Sequence, residues 1–559
     1  MGLRFVDWMV AAAVLLGGCG LSLSDVEAVQ NTCSTDADCP HGACEPETGM
    51  CIATSSEPLR VGLTVSPAST ASSSVQTVAF DATEVMSSTV RDLTMPASIR
   101  VRGRVLSDDT GESVPAQVRF VRPAVFPGGS PTEVTATTSG GEYQVRVTAG
   151  EAYDVIVEPT GDAVRAFPPL YLEDVAVPAD AEEHELDLRY PQELPYLEGR
   201  LFSQVGDEEV AENGLQVRAV AVADGRRVSS TAVTGTTATS TADEDGAFTV
   251  HLTPGAELFV LQVTGGSERP LFPTLTIDPA LVPPGTVEVT RLEPVRYEGL
   301  VEARTPSGAG PVPNAVVTLR SEDLYGDQEE VTGTFRAMAT TDGEGRFSVE
   351  VLPGTYDVVI APPGAFESSS GTVASELGVL VEAGVRIEAG NDTIRGQLFT
   401  VSPREQVGGY VETADGRPVG GAAVQASALG MLLPAVPASP YNRSSDTVTD
   451  GNGLFDLRVD AGAYDLSIKP PSGSGFPWLV HPGWWVGTGE APEVTAFTMP
   501  APVPLRGSVM AADGTPLAGA EVRAHGVVED PDRTLRTVPL GRAIVAEDGS
   551  YELLLAPRP

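Results

Sequence analysis

Along most of this 559-residue chain, polar and apolar residues alternate with a period of two. In "RFSVEVLPGTYDVVI", residues 346–360, Phe347, Val349 and Val351 fall on one face while Ser348 and Glu350 fall on the other. Successive side chains of an extended strand point to opposite faces, so the pattern predicts a strand with one buried face. Tyr356, Val358 and Ile360 repeat it, and "LPG" between the two runs predicts a tight turn, with Pro353 fixing its own φ and Gly354 free to take positive φ. Nothing after the N-terminal segment sustains the period of a helix. The high content of glycine (59) and proline (46) suits many short strands joined by turns. The expected fold class is all-β: tandem antiparallel Ig-like β-sandwiches of about seven strands each, after a small disulfide-rich N-terminal module.

The alternating runs belong to a repeat. Short "V-x-G-x-V" openings centre on Gly103, Gly199, Gly299, Gly409 and Gly507, at intervals of 96, 100, 110 and 98 residues. A second phrase follows, as in "DGRPVGGAAV" at 415–424 and "DGTPLAGAEV" at 513–522, and more loosely in "GPVPNAVV" at 310–317. In a third, Tyr143, Phe248, Phe347 and Phe455 are each followed seven residues later by Gly150, Gly255, Gly354 and Gly462. A glycine inside a strand marks a bulge or a close backbone approach, which is the expectation for the five opening glycines.

These three phrases together resemble the carboxypeptidase regulatory-like domain, most closely in the fourth unit through "VGGYV", "DGRPVGGAAV" and "TDGNGLFDLRVDAGAYDLSI". The resemblance covers most of residues 99–559 and implies a prealbumin-like, or carbohydrate-binding-like, sandwich. It implies no activity, because that domain accompanies peptidases rather than cleaving. The expected organisation is a signal peptide (1–18), a lipidated cysteine with a Cys-rich knot (19–56), a partial β repeat (57–98), and sandwiches at 99–194, 195–294, 295–403, 404–501 and 502–559. The two ends are irregular. Residues 57–98, "EPLRVGLTVSPAS…RDLTMPAS", resemble the back half of a unit, whereas the fifth unit stops at "YELLLAPRP", with Arg558 where the others carry the glycine. Three readings follow: that 57–98 adds a strand to the first sandwich, that the fifth is left with an open edge that recruits a partner or self-associates, or that the fifth unit is truncated by a shifted reading frame.

The N-terminus, "MGLRFVDWMVAAAVLLGGCG", places one basic residue before an apolar stretch too short to span a bilayer. Its "LGGC" resembles a bacterial lipobox, which implies cleavage before Cys19, acylation of that residue and a lipid-anchored envelope protein. Gly20 is not the aspartate that retains many such proteins at an inner membrane, so the outer membrane is the expected location. Cys33, Cys39, Cys44 and Cys51 complete the cysteines. An even number so closely spaced in an exported chain argues for two disulfides, with connectivity left open. A zinc site is the alternative, against which no C-x-x-C pair is present and His41 is the only imidazole nearby.

Charge and residue usage narrow the function classes. Against 76 acidic residues stand 35 basic ones, a net −41 that repels nucleic acid and anionic headgroups. Lys469 is the sole lysine, leaving phosphate-loop and Ser–Lys chemistry almost nowhere to reside. It likewise rules out Lys–Asn isopeptide staples in every unit but the fourth. "HELDL" at 184–188 has Leu188 where a zinc protease needs histidine, and its alternation reads as a strand. Acidic turns begin at Asp243, Asp342 and Asp450, but the twelfth position, where a calcium loop needs glutamate, holds Pro254, Pro353 and Ala461. These are expected to be hairpin turns, with no metal and no cofactor. Trp478, Trp484 and Trp485 in "GFPWLVHPGWW" are candidates for stacking on sugar rings, or else fill a core or a junction. No catalytic residue is expected. The expected role is a non-enzymatic structural or adhesive scaffold; the alternatives are carbohydrate binding at the surface and service as an accessory subunit to a peptidase or transport system.

Overall fold

The computed structural model describes residues 29–557 except 41, 55–57, 69–76, 87–88, 127–128, 130, 213–214, 223–233, 242–245, 255–257, 265–272, 278–286, 306–307, 323, 325–330, 364, 369–370, 375–376, 391, 430–441, 488–494 and 531–532. Among the described residues the fold is all-β, with two short 3-10 turns, Asp36–Asp38 and Gly161–Arg165, and no α-helix. No helix there is long and apolar enough to cross a membrane.

The first sandwich shows the plan. Its first strand, Ser98–Ser107, pairs antiparallel with its fourth, Glu142–Thr148, and parallel with its seventh, which is split into Glu183–Glu185 and Leu188–Tyr190. Facing them, a four-stranded sheet runs sixth–fifth–second–third: Leu170–Ala176, Ala152–Pro159, Ala116–Arg122, Thr132–Thr137. The strand reading of 184–188 holds at both ends of "HELDL". The interruption lies at Leu186, whose carbonyl turns inward over Gly103 and accepts the Tyr143 hydroxyl at 2.7 Å. The same strand order recurs in the second, third and fourth sandwiches, each with its last strand parallel to its first.

Two of the repeated phrases meet in space. Gly103 pairs with Tyr143, Gly199 with Phe248, Gly299 with Phe347, Gly409 with Phe455 and Gly507 with Tyr551. A Cβ on Gly409 would lie 2.5 Å from the Phe455 ring, and one on Gly103 would lie 1.8 Å from the Leu186 carbonyl oxygen. The opening glycine is therefore a close-approach position, kept bare so that an aromatic ring or the last strand lies flat across it.

The fifth sandwich is built from both ends of the chain. Val503–Met510, Glu521–Glu529, Leu535–Ile544 and Ser550–Leu555 occupy its first four positions. The fifth is Leu59–Ser66, antiparallel to Glu521–Glu529 through Val61↔Gly526 to Ser66↔Glu521. Val78–Val85 is the sixth, and Leu93–Thr94 is the seventh, parallel to Val503–Met510 as in every other unit. Tyr551 donates its hydroxyl to Arg91 O at 2.8 Å, reproducing Tyr143 and Leu186 of the first unit. One core results: Val61, Leu63, Val65, Val85, Leu93 and Met95 are packed among Leu505, Val509, Val522, Leu553 and Leu555. This corrects the first two readings of the chain ends. Segment 57–98 adds no strand to the first sandwich, and Glu521–Glu529 has no open edge on the side that Leu59–Ser66 covers. The physical reason is pattern matching: the back half fits only a front half that lacks its own, and the other front halves are already filled.

Because the fifth sandwich is joined by Met95–Ser98 to the first and by Met499–Val503 to the fourth, the five form a closed cycle. "TMPA" stands at both joints, at 94–97 and 498–501. At each junction the third-strand region of one sandwich is laid on its predecessor. Between the second and third, Thr274–Ile277 hydrogen-bonds to Val331–Thr340, fusing the two larger sheets into one of eight strands. Between the fourth and fifth, Arg536 on the third strand pairs with Asp465 (Nη2–Oδ1 2.9 Å). Between the fifth and first, Phe126 stacks on His525 with ring centroids 6.2 Å apart and covers Gly62, where a Cβ would be 2.7 Å from the ring. Such coverage keeps strand edges from templating foreign strands.

Candidate functional site

Of the residues singled out from the sequence, the cysteines of the knot and Trp478 lie at the closure of this cycle. The cysteines form two interleaved disulfides, Cys33–Cys44 and Cys39–Cys51, with S–S distances of 2.14 and 2.09 Å. The sulfurs of Cys33, Cys39 and Cys51 lie within 4.8 Å of one another, as in a metal site, but all three are held in disulfides. The hairpin Gly42–Glu45/Met50–Ala53 carries Cys44 and Cys51 opposite each other, and each cysteine bonds elsewhere. The knot is seated on the joint between the fourth and fifth sandwiches. Asn31 donates its backbone N–H to Ser474 O at 2.8 Å and its side-chain amide to Gly475 O at 2.9 Å. Ala53 N–H reaches Pro502 O at 2.8 Å, and Arg506 grips Glu45 with both terminal nitrogens (Nη1–Oε1 2.6 Å) while also pairing with Glu552. The hydrogen bonds from Arg506 hold the Glu45 carboxyl below its usual range. Between knot and fourth sandwich remains a cavity of 40 Å³ lined by Asn31, Asp38, Asp415, Arg417 and Phe476, room for a few waters. Cys19 and the signal segment lie outside the described residues.

The tryptophans do not form one platform. Trp478 is bridged through its backbone to Leu555 at the fourth–fifth joint, and Lys469 Nζ lies 4.8 Å above its ring. Trp484 and Trp485 are adjacent on Leu479–Val486 and so point to opposite faces. Trp484 packs on the fourth core, 6.2 Å from the Tyr464 ring, whereas Trp485 is 38% exposed.

The acidic turns that are described behave as turns. Asp342 Oδ1 accepts the backbone N–H groups of Glu344 (3.0 Å) and Arg346 (2.8 Å). Asp450 does the same for Asn452 (2.8 Å) and Leu454 (2.9 Å). Gly345 and Gly453 take φ of +76° and +75°, the left-handed geometry that requires glycine. Each carboxylate thus orders its own hairpin. The copy starting at Asp243 lies outside the described residues.

A polar cluster that sequence spacing does not reveal joins the third and fourth sandwiches. Asp460, 3% exposed, accepts two bonds from the Arg443 guanidinium (Nε–Oδ2 and Nη2–Oδ1, both 2.9 Å) and lies 3.4 Å from Arg404 Nε. It also accepts the N–H of Arg443 (2.9 Å) and, across the joint, that of Val379 (3.1 Å). Arg443 donates onward to Leu377 O (2.6 Å) and Pro362 O (3.0 Å) in the third sandwich. Burial pushes the Asp460 carboxyl upward, but Arg443 and Arg404 outweigh it and hold it below its ordinary value.

A shallow concavity of 590 Å³ on the third sandwich is lined by Leu300, Phe347 and Leu398 with Glu298, Asp342 and Gln397 at its margin. Its polar lining is Glu298, Glu302, Thr340, Asp342, Arg346, Ser348 and Gln397, of which Asp342 is taken up by its own turn. The described histidines do not converge: His481 lies 5.4 Å from the Phe497 ring inside the fourth unit, His525 is at the fifth–first joint, and His251 and His184 are on strands of the second and first units.

No protein-family model and no curated protein matches the chain. Solved structures similar to parts of it include the minor pilin of Streptococcus agalactiae, at 9% identity over 38% of this chain and 96% of that one, with a TM-score of 0.21. A streptococcal ancillary pilin matches at 13% identity over 55% and 99%, with a TM-score of 0.16. The Bacillus anthracis TIE protein matches at 11% over 72% and 73%, with a TM-score of 0.14. Scores this low mark no shared arrangement of the whole chain.

Proposed function

We propose that this protein is a non-enzymatic, lipid-anchored scaffold of the cell envelope, in which a cycle of carboxypeptidase regulatory-like sandwiches is held at an outer-membrane surface for structural or adhesive use. The observation that carries the reading is how the chemically suggestive residues are spent. The acidic turns bind their own backbone, the disulfides clamp a knot onto the closure, and the buried Asp460–Arg443 cluster joins two sandwiches. What such a molecule offers a partner is rigid, strongly acidic surface. Lipid on Cys19 would fix the chain fourteen residues before Cys33, the first cysteine of the knot, placing the cycle's closure next to the membrane.

The experiment is fractionation of cells expressing the full chain and Cys19→Ser. The wild-type protein is expected in the detergent-soluble membrane fraction and the variant in the aqueous fraction; a wild-type protein found free of membrane sinks the anchor. Carbohydrate recognition is the second reading, favoured by the exposure of Trp485 on the outer face of its strand. On the scaffold reading, Trp485→Ala leaves retention on glycan and peptidoglycan resins unchanged. A loss of retention moves the assignment to sugar binding, and stoichiometric co-purification of a peptidase or transporter moves it to an accessory role.

A further inference from the structure

We propose that the N-terminal half-sandwich, residues 58–95, is exchangeable between copies, so that a second copy of this chain completes the fifth sandwich and copies link head to tail. The break in the cycle falls inside a folded unit rather than between units. In the first and fourth sandwiches the fourth and fifth strands are joined by tight turns at Gly150 and Gly462. In the fifth sandwich the equivalent strands, Ser550–Leu555 and Leu59–Ser66, come from opposite ends of the chain, so only side-chain packing and strand pairing hold the halves together.

Everything the donor half needs is on the acceptor. Leu59–Ser66 pairs with Glu521–Glu529, Asp92 accepts from Ser508 N–H (2.9 Å) and hydroxyl (2.8 Å), and Arg91 O accepts from Tyr551. The knot that precedes the half-sandwich docks on the same end of the chain, through Ser474, Gly475, Pro502 and Arg506. Donor and acceptor are thus a matched pair separated along the chain by the other four sandwiches, with the short Met95–Ser98 joint linking the donor to the first of them. Exchange preserves every one of these contacts, and the linked form gives up only a joint of the cycle, such as the Phe126–His525 stack between the fifth and first sandwiches. Closure is favoured by an effective concentration on the order of millimolar. Copies crowded to a comparable local concentration exchange, and a donor at one end with an acceptor at the other gives a heterologous contact that propagates as open chains or larger rings.

The test uses full-length chains carrying Thr64→Cys or Arg523→Cys, positions directly opposite in the register and within disulfide reach across a strand pair. The double variant is expected to cross-link within one molecule when dilute. An equimolar mixture of the two single variants, transiently unfolded with its native disulfides intact and refolded at high concentration, is expected to give a disulfide-linked heterodimer. That product is lost when refolding is done a hundredfold more dilute. Cross-linking confined to the double variant at every concentration overturns the exchange, and a double variant that never cross-links overturns the closure on which it rests.

Discussion

A chain lacking residues 58–95 is expected to lose its fifth sandwich completely, and a chain with those residues moved to follow 557 is expected to regain it. The deleted segment supplies Val61, Leu63 and Val65, all at 0% exposure, with Val85, Leu93 and Met95 at 2% or less. Burying each is worth about 1.5–3 kcal/mol, so roughly 10 kcal/mol or more of apolar burial is withdrawn, as an upper estimate. A whole domain is stable by only about 5–15 kcal/mol, so the remaining four strands cannot stay folded. They would also present Glu521–Glu529 as an unpaired edge, inviting aggregation. In the relocated chain the two halves are contiguous, and a glycine-containing turn inserted between Leu555 and Leu59 joins them as Gly462 joins Leu454–Val459 to Gly462–Lys469 in the fourth unit. Hydrogen exchange across 503–555 is the measurement. Protection that survives the deletion, or fails to return on relocation, would sink the closed cycle.

The repeat grammar was legible because its signals are local. Alternation, the Asp–Gly turn and the aromatic seven residues before a glycine all act within one hairpin, and each strand of "RFSVEVLPGTYDVVI" is found where the alternation puts it, as Arg346–Val351 and Gly354–Ala361. The pairing of Gly299 with Phe347 was not legible, because the separation of opening glycine and aromatic varies from 40 to 49 residues among the five units. The likeness of 57–98 to a back half was visible. Its partner was misassigned because consecutive elements usually pack together, whereas Leu63 finds Ala524, far along the chain. Interleaving of the disulfides, Cys33 with Cys44 and Cys39 with Cys51, was beyond spacing alone.

The cluster at the third–fourth joint was illegible because a lone Asp and two arginines on a strongly acidic chain carry no periodic mark. Its consequence is the second large effect: Asp460→Ala is expected to destabilise the fourth sandwich and its joint by about 3–5 kcal/mol, the range for removing one partner of a buried ion pair. The substitution strands Arg404 and Arg443, whose side chains are 14% and 31% exposed, and leaves the Val379 N–H without its acceptor. Truncating Arg443 is milder, because Arg404 still faces the carboxylate. The folded-state pKa of Asp460 is depressed below 3.8. The stabilisation from its ionisation is therefore complete above the unfolded value and is lost as pH falls through the lower folded one. Denaturant titrations should accordingly show wild type and Asp460→Asn far apart at pH 7 and drawing together in acid, as pH falls below the unfolded carboxylate value and through the lower folded one. A gap that stays constant from pH 7 down through that range would mean that the ionised carboxylate contributes nothing, and that Asp460 holds the joint through its backbone contacts and shape alone.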